Sequence, residues 1–208
     1  MDYDTIVALA LSYSDRESDA EIPGKLDNFL KIVEARINRK LKTGDMTTRS
    51  TLDLSLLLGV GQDYFALPSD FGGIRDIEYS NGSDRITMSY INPEQMNQLI
   101  TSKYNGLGVF YTIIANQFQV FPQKITGNFE IVYYQNVPAL SAIDTTNWIS
   151  DDNPDVYLFG LMVEISSFVK DKEASALWDQ RFQTSLNEIT EEDSTMRWSG
   201  TPLRINIG

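Results

Sequence analysis

Residues 74–90 have the sequence IRDIEYSNGSDRITMSY, and this stretch decides the fold class of the middle of the chain. Apolar and polar residues alternate on both sides of Asn81-Gly82. An Asn-Gly pair between two alternating runs is the strongest short-range signal of a β-hairpin, because both residues readily adopt the backbone angles of the tight turn. The sequence therefore predicts two antiparallel strands, Ile74–Tyr79 and Arg85–Tyr90.

The strand pattern extends outward from this hairpin, from Thr48 to about Leu140. Further short strands with a period of two residues are predicted at 51–58, 64–67, 110–115, 117–121 and 128–134. A single helix is predicted at Pro93–Ile100. Many short strands joined by turns favour an antiparallel sandwich or barrel-like domain.

Helical patterns replace the strand pattern toward both chain ends. A short apolar pattern at 4–14 and apolar residues spaced by three and four at 26–41 predict two N-terminal helices. Asn153-Pro154-Asp155 has the composition of a helix start, with an N-cap, a first-turn proline and an acid. Two helices are predicted after it, ending at Glu191-Glu192-Asp193. Because each helix has an apolar stripe, the helices of the two chain ends are expected to pack together.

The predicted fold class is α+β, a helical bundle built from both chain ends with an inserted antiparallel β-sandwich or barrel-like domain. The expected boundaries are 1–47 and 150–193 for the helical domain, 48–149 for the β domain, and 194–208 for an extended C-terminal tail. The tail is either a frayed terminus or a segment that docks onto a neighbouring chain. Its apolar residues would be wasted on solvent, which favours docking. The candidate contact residues are Arg197, Trp198, Leu203, Arg204, Ile205 and Ile207.

Composition excludes several classes of function. The 208 residues include no cysteine and no histidine, so disulfides, thiolate metal sites, cysteine nucleophiles and Ser-His-Asp triads are excluded. A net charge of −12 lacks the basic footprint of a protein that grips DNA. The sequence has no apolar window of about 18 residues, so no transmembrane helix is expected. The acidic N-terminus is unlike a signal peptide, and synthesis in a cytoplasm is expected.

Short motifs that imitate catalytic or metal sites have simpler explanations. Asp151–Asp155 lacks the glycine and glutamate that a calcium loop needs, and a helix cap explains it better. Ser167-Phe168-Val169-Lys170 matches S-x-x-K without its companion motifs in order, which indicates chance. We therefore predict no enzyme activity and no catalytic, cofactor or metal site.

Two alternative functions remain open at this point. The tyrosines of the β region could form a carbohydrate- or receptor-binding row, which would make the chain a peripheral module of a larger assembly. A hydrolase using only carboxylates would need a cleft with two acids about 5–10 Å apart.

Several stretches together carry a resemblance to a known family. They are Val33–Leu41, Gly44–Met46, Leu67–Ile77, Phe118–Pro122, Val132–Ser141, Thr146–Ile149, Asn153–Leu161 and Met196–Arg204. In their order and spacing the chain resembles the head-to-tail connector adaptor proteins of short-tailed bacteriophages. The resemblance covers nearly the whole length.

The resemblance implies a structural role in the virion. Such adaptors form rings, usually of twelve subunits, below the portal protein at the capsid vertex. They extend the DNA channel and attach the tail or nozzle. The genomic DNA is expected to pass through the lumen without sequence-specific binding. The resemblance also implies assembly in the host cytoplasm, no membrane partner, and docking of the tail residues on the portal or a neighbouring subunit. The alternative is a peripheral tail module that binds a carbohydrate or receptor through the β domain.

Overall fold

The computed structural model describes residues 1–53, 64–82, 84–102, 106, 108–122 and 127–198. The chain divides into two compact units. One unit contains Met1–Gly44 and the chain from Val137 onward, and the other contains Asp45–Asn136. The first unit is built from helices and the second mainly from strands, so the predicted α+β class is confirmed.

The described elements follow one another in the predicted helix, strand, helix order. They are α1 (Tyr3–Tyr13), a 3-10 turn (Pro23–Lys25), α2 (Leu26–Lys40), β1 (Thr47–Asp53), β2 (Tyr64–Ala66), β3 (Phe71–Ser80), β4 (Arg85–Thr87), β5 (Ser89–Tyr90), α3 (Pro93–Ser102), β6 (Phe110–Ile114), β7 (Gln117–Phe121), β8 (Asn128–Gln135), α4 (Trp148–Asp152), α5 (Pro154–Phe168) and α6 (Lys172–Trp198). The second half of the predicted strand at 51–58 lies outside the described residues.

Helix α5 is the centre of the helical unit. Nine of its residues are buried, and helices α1, α2, α4 and α6 all pack against it. Gly160 permits the close approach of its neighbours, since a Cβ there would lie 2.5 Å from Cγ1 of Val33 and 3.2 Å from Cε2 of Phe182. The glycine therefore sets the spacing of α2, α5 and α6.

The entry to α5 differs from the predicted one. Asn153 occupies the position before α5, but its side chain makes no capping hydrogen bond. The local cap lies one helix earlier, where Oδ1 of Asn147 accepts from the Ser150 N–H at 3.0 Å and the Ser150 hydroxyl oxygen accepts from the Asn147 N–H at 2.9 Å. This reciprocal pair starts α4 and satisfies two backbone donors that would otherwise be buried without partners.

Helix α6 is longer than predicted. It continues to Trp198, five residues past the expected end at Asp193. The acidic run Glu191–Asp193 does not stop it because Asp193 faces a protein donor instead of solvent, and Arg197 pairs with Asp193 one turn later. The first five residues assigned to an extended tail are therefore helical.

In the described residues, the β unit contains two four-stranded sheets. Their strand orders are β1-β8-β3-β4 and β2-β7-β6-β5. Side chains from both sheets form one core, in which Phe65 of β2 contacts Phe129 of β8 edge to face, and Phe71 of β3 contacts Phe118 of β7 in the same way. The arrangement is a sandwich of facing sheets and not a closed barrel.

The hairpin that decided the fold class is present but shorter than predicted. β3 pairs with β4 from Ser80 and Arg85 outward, and Oδ1 of Asn81 accepts from the Asp84 N–H. The predicted single strand 85–90 is interrupted at Met88, which is buried in the core. Beyond it, β5 joins the other sheet and pairs with β6 in parallel. The sheets are therefore antiparallel except at this edge.

The division between the units differs from the expected one at residues 137–149. These residues belong to the helical unit because α2 side chains accept their backbone donors. Oδ1 of Asn38 accepts from the Val137 N–H at 2.8 Å, and Oε1 of Glu34 accepts from the Leu140 N–H at 2.6 Å.

Candidate functional site

The structure places two of the six predicted contact residues in the last turn of α6. Arg197 and Trp198 are its final residues. Leu203, Arg204, Ile205 and Ile207 lie outside the described residues.

Arg197 belongs to a small polar cluster with Asp193 and with Gly44, which lies in the segment that follows α2. Its guanidinium lies 2.9 Å from Oδ2 of Asp193, and Oδ1 of Asp193 accepts from the Gly44 N–H at 2.6 Å. A Cβ on Gly44 would come within 2.9 Å of the same carboxylate, so the glycine gives the helix room to approach. The cluster fixes the end of α6 against the last residue of the N-terminal helical segment. About a third of the Arg197 side chain stays accessible.

One exposed surface of the helical unit, here called the aromatic face, is formed by Tyr13, Phe159, Leu177, Trp178 and Arg181. Trp178 contacts Tyr13 at a ring-centroid distance of 6.4 Å and Phe159 at 5.7 Å. The Arg181 guanidinium lies 4.9 Å from the Trp178 ring centroid, a cation–π contact. Tyr13 is 57% exposed and Leu177 is 50% exposed. Tryptophan and arginine are the residue types that most often anchor protein interfaces.

A groove of about 420 Å³ runs beside the aromatic face, between α5 and α6. Two carboxylates line it, Asp155 at the start of α5 and Glu188 on α6. The Asp155 carboxylate accepts a short hydrogen bond from the buried Ser185 hydroxyl. Arg181 lines the same groove, which therefore joins apolar area to charges of both signs.

A second exposed surface, here called the lysine face, is formed by Lys25, Ile32, Phe168, Lys170 and Lys172. The Lys25 ammonium lies 4.6 Å from the Phe168 ring centroid. Ile32 and Phe168 are both large apolar side chains with substantial exposure. Lys170 lies past the end of α5 with a left-handed φ of 63°, so the S-x-x-K match does not lie on one helix.

The lysine face also borders a groove, of about 480 Å³, between the C-terminal part of α5 and the start of α6. Beside it Arg36 pairs with Glu164 at 3.5 Å and with Asp179. These two carboxylates share one guanidinium, and Lys25 pairs with Glu21 at 3.7 Å, so acids offset the positive charges of this surface.

Glu34, Asn38 and Asn147 are structurally important residues that the sequence analysis missed. Nδ2 of Asn147 donates to the Pro138 carbonyl and to the Tyr157 hydroxyl, both at 2.7 Å. Burial raises the pKa of Glu34, while the hydrogen bond from the Leu140 N–H and the charge of Lys31 oppose that shift. Burial likewise raises the pKa of Tyr157. These residues hold the chain where it re-enters the helical unit. The Asn147-x-x-Ser150 pattern of a capping box was the one local signal available.

The described tyrosines of the β unit do not form the row that a carbohydrate-binding surface requires. Tyr79, Tyr111 and Tyr133 are buried in the core between the sheets. Among the described tyrosines, Tyr64 and Tyr90 are highly exposed, but they lie on β2 and β5, the opposite edges of one sheet. Tyr104 lies outside the described residues. Tyr79, Tyr111 and Tyr133 therefore serve the core of the sandwich.

Glu34, the described carboxyl group with a raised pKa, is 7% exposed and holds the Leu140 backbone. Across the described ranges no group of three or more acids is placed to hold a metal ion. No helix in the described part of the chain is long and apolar enough to cross a membrane.

A helical unit with two exposed apolar faces, joined in sequence to a filled β-sandwich, is an arrangement typical of proteins that contact other chains. Comparison with family models specifies it further. The SU10 adaptor protein model matches residues 1–206, and the chain belongs to that family. The family is one of phage structural adaptors and not of enzymes, as the resemblance indicated. No curated protein matches the chain.

Proposed function

We propose that this chain is the head-to-tail adaptor that forms a ring beneath the portal, extends the DNA channel and attaches the tail or nozzle. The observation that carries the proposal is the family match over residues 1–206. A twelve-subunit ring, as the resemblance implies, is part of the proposal. Assembly would take place in the host cytoplasm, and the product would be a virion component.

The portal contact is assigned to the end of α6 and the residues that follow it. With 27 residues α6 is about 40 Å long, enough to carry its end well away from its start. The contact set is Arg197, Trp198, Leu203, Arg204, Ile205 and Ile207. The Asp193–Gly44 hydrogen bond supports this assignment, because it fixes the part of α6 that directly precedes Arg197 and Trp198.

The acidic surface is assigned to the DNA channel. Twenty of the 29 acids lie in residues 1–44 and 137–208, against twelve lysines and arginines. Carboxylates facing a lumen would repel the DNA backbone and keep the genome from adhering during passage. A ring structure with a basic lumen would contradict this part of the proposal.

Co-sedimentation with the portal protein of the same genome tests the contact set. Full-length chain is expected to sediment with portal particles, whereas a chain ending at Trp198 is expected to lose most of that binding. Its far-ultraviolet circular dichroism should keep a strong helical signal, because the deletion leaves every described helix intact. Binding by the shortened chain at the full-length level would remove the tail from the interface.

One single variant tests the end of α6 separately from the tail, and a second variant serves as its control. Arg197→Ala removes one partly exposed ion pair, so we expect stability to change by less than about 1 kcal/mol while portal binding falls. Ile143→Ser is the matched control, since Ile143 is 91% exposed and lies away from α6 in sequence. It should bind like the unmodified chain.

A further inference from the structure

Three polar side chains lie next to one another on the sheet formed by β2, β7, β6 and β5. Thr112 of β6 is directly opposite Gln119 of β7, and Gln119 is directly opposite Tyr64 of β2. Tyr111 and Phe118, which precede Thr112 and Gln119 in sequence, belong to the core between the two sheets. Because side chains alternate along a strand, Thr112 and Gln119 face away from that core, on the outer side of the sheet.

Helix α3 covers the Thr112 end of this polar row. It connects β5 to β6, which are parallel, and a connection between parallel strands has to cross one face of the sheet. The other sheet occupies the inner face, so α3 packs on the outer face, against β6 and β7. Met96 of α3 and Thr112 are 0% exposed, and Gln119 is 4% exposed. A hydroxyl and a carboxamide are therefore almost entirely shut off from bulk solvent.

The two buried side chains do not satisfy each other's hydrogen bonds. In the described part of the chain, the Thr112 hydroxyl has no hydrogen-bond partner. The Gln119 carboxamide donates to the Tyr64 hydroxyl at 3.4 Å, which is longer than the usual range of about 2.7–3.2 Å. A buried polar group without a partner is unfavourable, and globular proteins commonly satisfy such groups with an internal water molecule.

We propose that one buried water molecule bridges the Thr112 hydroxyl and the Gln119 carboxamide beneath α3 and is a fixed part of the β unit. Directly opposed residues have Cβ atoms about 4.5–5.5 Å apart, so a water molecule can link side chains that do not bond directly. Both groups can donate and accept, as a bridging water requires. The row contains no charged side chain, so it suits a neutral molecule better than an ion.

This inference concerns the β unit alone and does not depend on the adaptor role. Thr112→Val tests it by the sign of its effect, since valine has nearly the shape of threonine without the hydroxyl. If a water bridges the two groups, valine removes one of its partners and destabilises the sheet. The backbone amides of β6 and β7 should then exchange their hydrogens faster than in the unmodified full-length chain.

The opposite sign would contradict the bridge. If the hydroxyl simply lacks a partner, Thr112→Val removes an unfavourable buried group, and exchange in β6 and β7 should become slower or stay the same. Either of these results would overturn the inference. Thr51→Val is the matched control, because it makes the same chemical change at an exposed position of β1. It should leave the exchange of β6 and β7 unchanged.

A crystal structure of the full-length chain shows the water itself. We expect an ordered water oxygen within about 3.2 Å of both Oγ1 of Thr112 and the Gln119 carboxamide. The same position should carry no water that contacts residue 112 in crystals of the Thr112→Val variant. A direct hydrogen bond between the Thr112 and Gln119 side chains, or no water density between them, would overturn the inference.

Discussion

Burial and hydrogen bonding shift the pKa of the Glu34 carboxyl group in opposite directions. Burial raises this pKa, and the hydrogen bond that the carboxylate accepts from the Leu140 N–H opposes the rise. Glu34→Ala leaves that backbone donor without an acceptor, and we expect a loss of about 1–3 kcal/mol in the free energy of unfolding. Glu34→Gln retains an accepting oxygen and should lose much less. Chemical denaturation of both variants at neutral pH measures the difference, and equal losses would show that the hydrogen bond contributes nothing.

The same carboxyl group predicts a pH dependence. Because its pKa is higher in the folded chain than in the unfolded chain, the folded state binds the proton more tightly, and stability falls as the pH rises through this range. The Gln variant cannot titrate. Its stability relative to the unmodified chain should therefore increase between about pH 4 and about pH 7. Urea denaturation across that range checks the sign, and a relative stability that stays flat or decreases would contradict it.

Asn147 and Asn153 form a matched pair of asparagines at helix starts. Asn147 caps α4 and donates to Pro138 and Tyr157, whereas Asn153 makes no side-chain cap. Asn147→Ala should cost about 2–4 kcal/mol, because a cap and two buried hydrogen bonds are lost together. Asn153→Ala should change stability by less than about 0.5 kcal/mol. Thermal denaturation compares them, and similar losses for both would contradict the assigned cap.

At the scale of elements, α2, α5 and α6 pack so closely around Gly160 that an added side-chain volume there should lower the free energy of unfolding. Gly160→Ala places a methyl group 2.5 Å from Val33 and should destabilise by about 1–3 kcal/mol. Adding Val33→Ala makes room for that methyl group, so the double variant should lose less than the sum of the two single losses. Gly24→Ala is the control, since nothing lies within 4 Å of its new Cβ. If the losses were additive, Val33 of α2 would not be what restricts the space for a methyl group at position 160.

The elements also show which parts of the fold were accessible from sequence. The β3–β4 hairpin was predicted because Asn81-Gly82 and its flanking alternation are local. The transfer of the chain between sheets at Met88 was not predicted, because β5 pairs with β6, whose partner residues lie 21 positions further along the sequence. The end of α6 was missed for a similar reason. Asp193 is stabilised by Gly44, which no local pattern connects to it.

For the whole molecule, the division into two units predicts that the helical unit folds alone. Val137 binds Asn38, and Gly44 follows Asn38 by six residues, so the cut ends lie within about 20 Å of each other. Replacing residues 45–136 by about six glycine and serine residues should span that gap. We expect a helical protein with one cooperative thermal transition. A noncooperative transition would show that the helical unit depends on the β unit.

The candidate site was only partly accessible from the sequence. The tail was singled out because its apolar residues had no partner in the chain pattern, and its portal contact remains a proposal. The aromatic and lysine faces were not anticipated. Trp178 fits the apolar stripe of a helix, and its partial exposure beside Tyr13 depends on how α1, α5 and α6 pack together.

The most direct test of the adaptor role is electron microscopy of the full chain mixed with the portal protein encoded by the same genome. The adaptor role predicts a ring of added density beneath the portal, coaxial with its channel, built from repeated copies of this chain. Portal particles identical with and without the chain, under conditions where both proteins are folded, would contradict it.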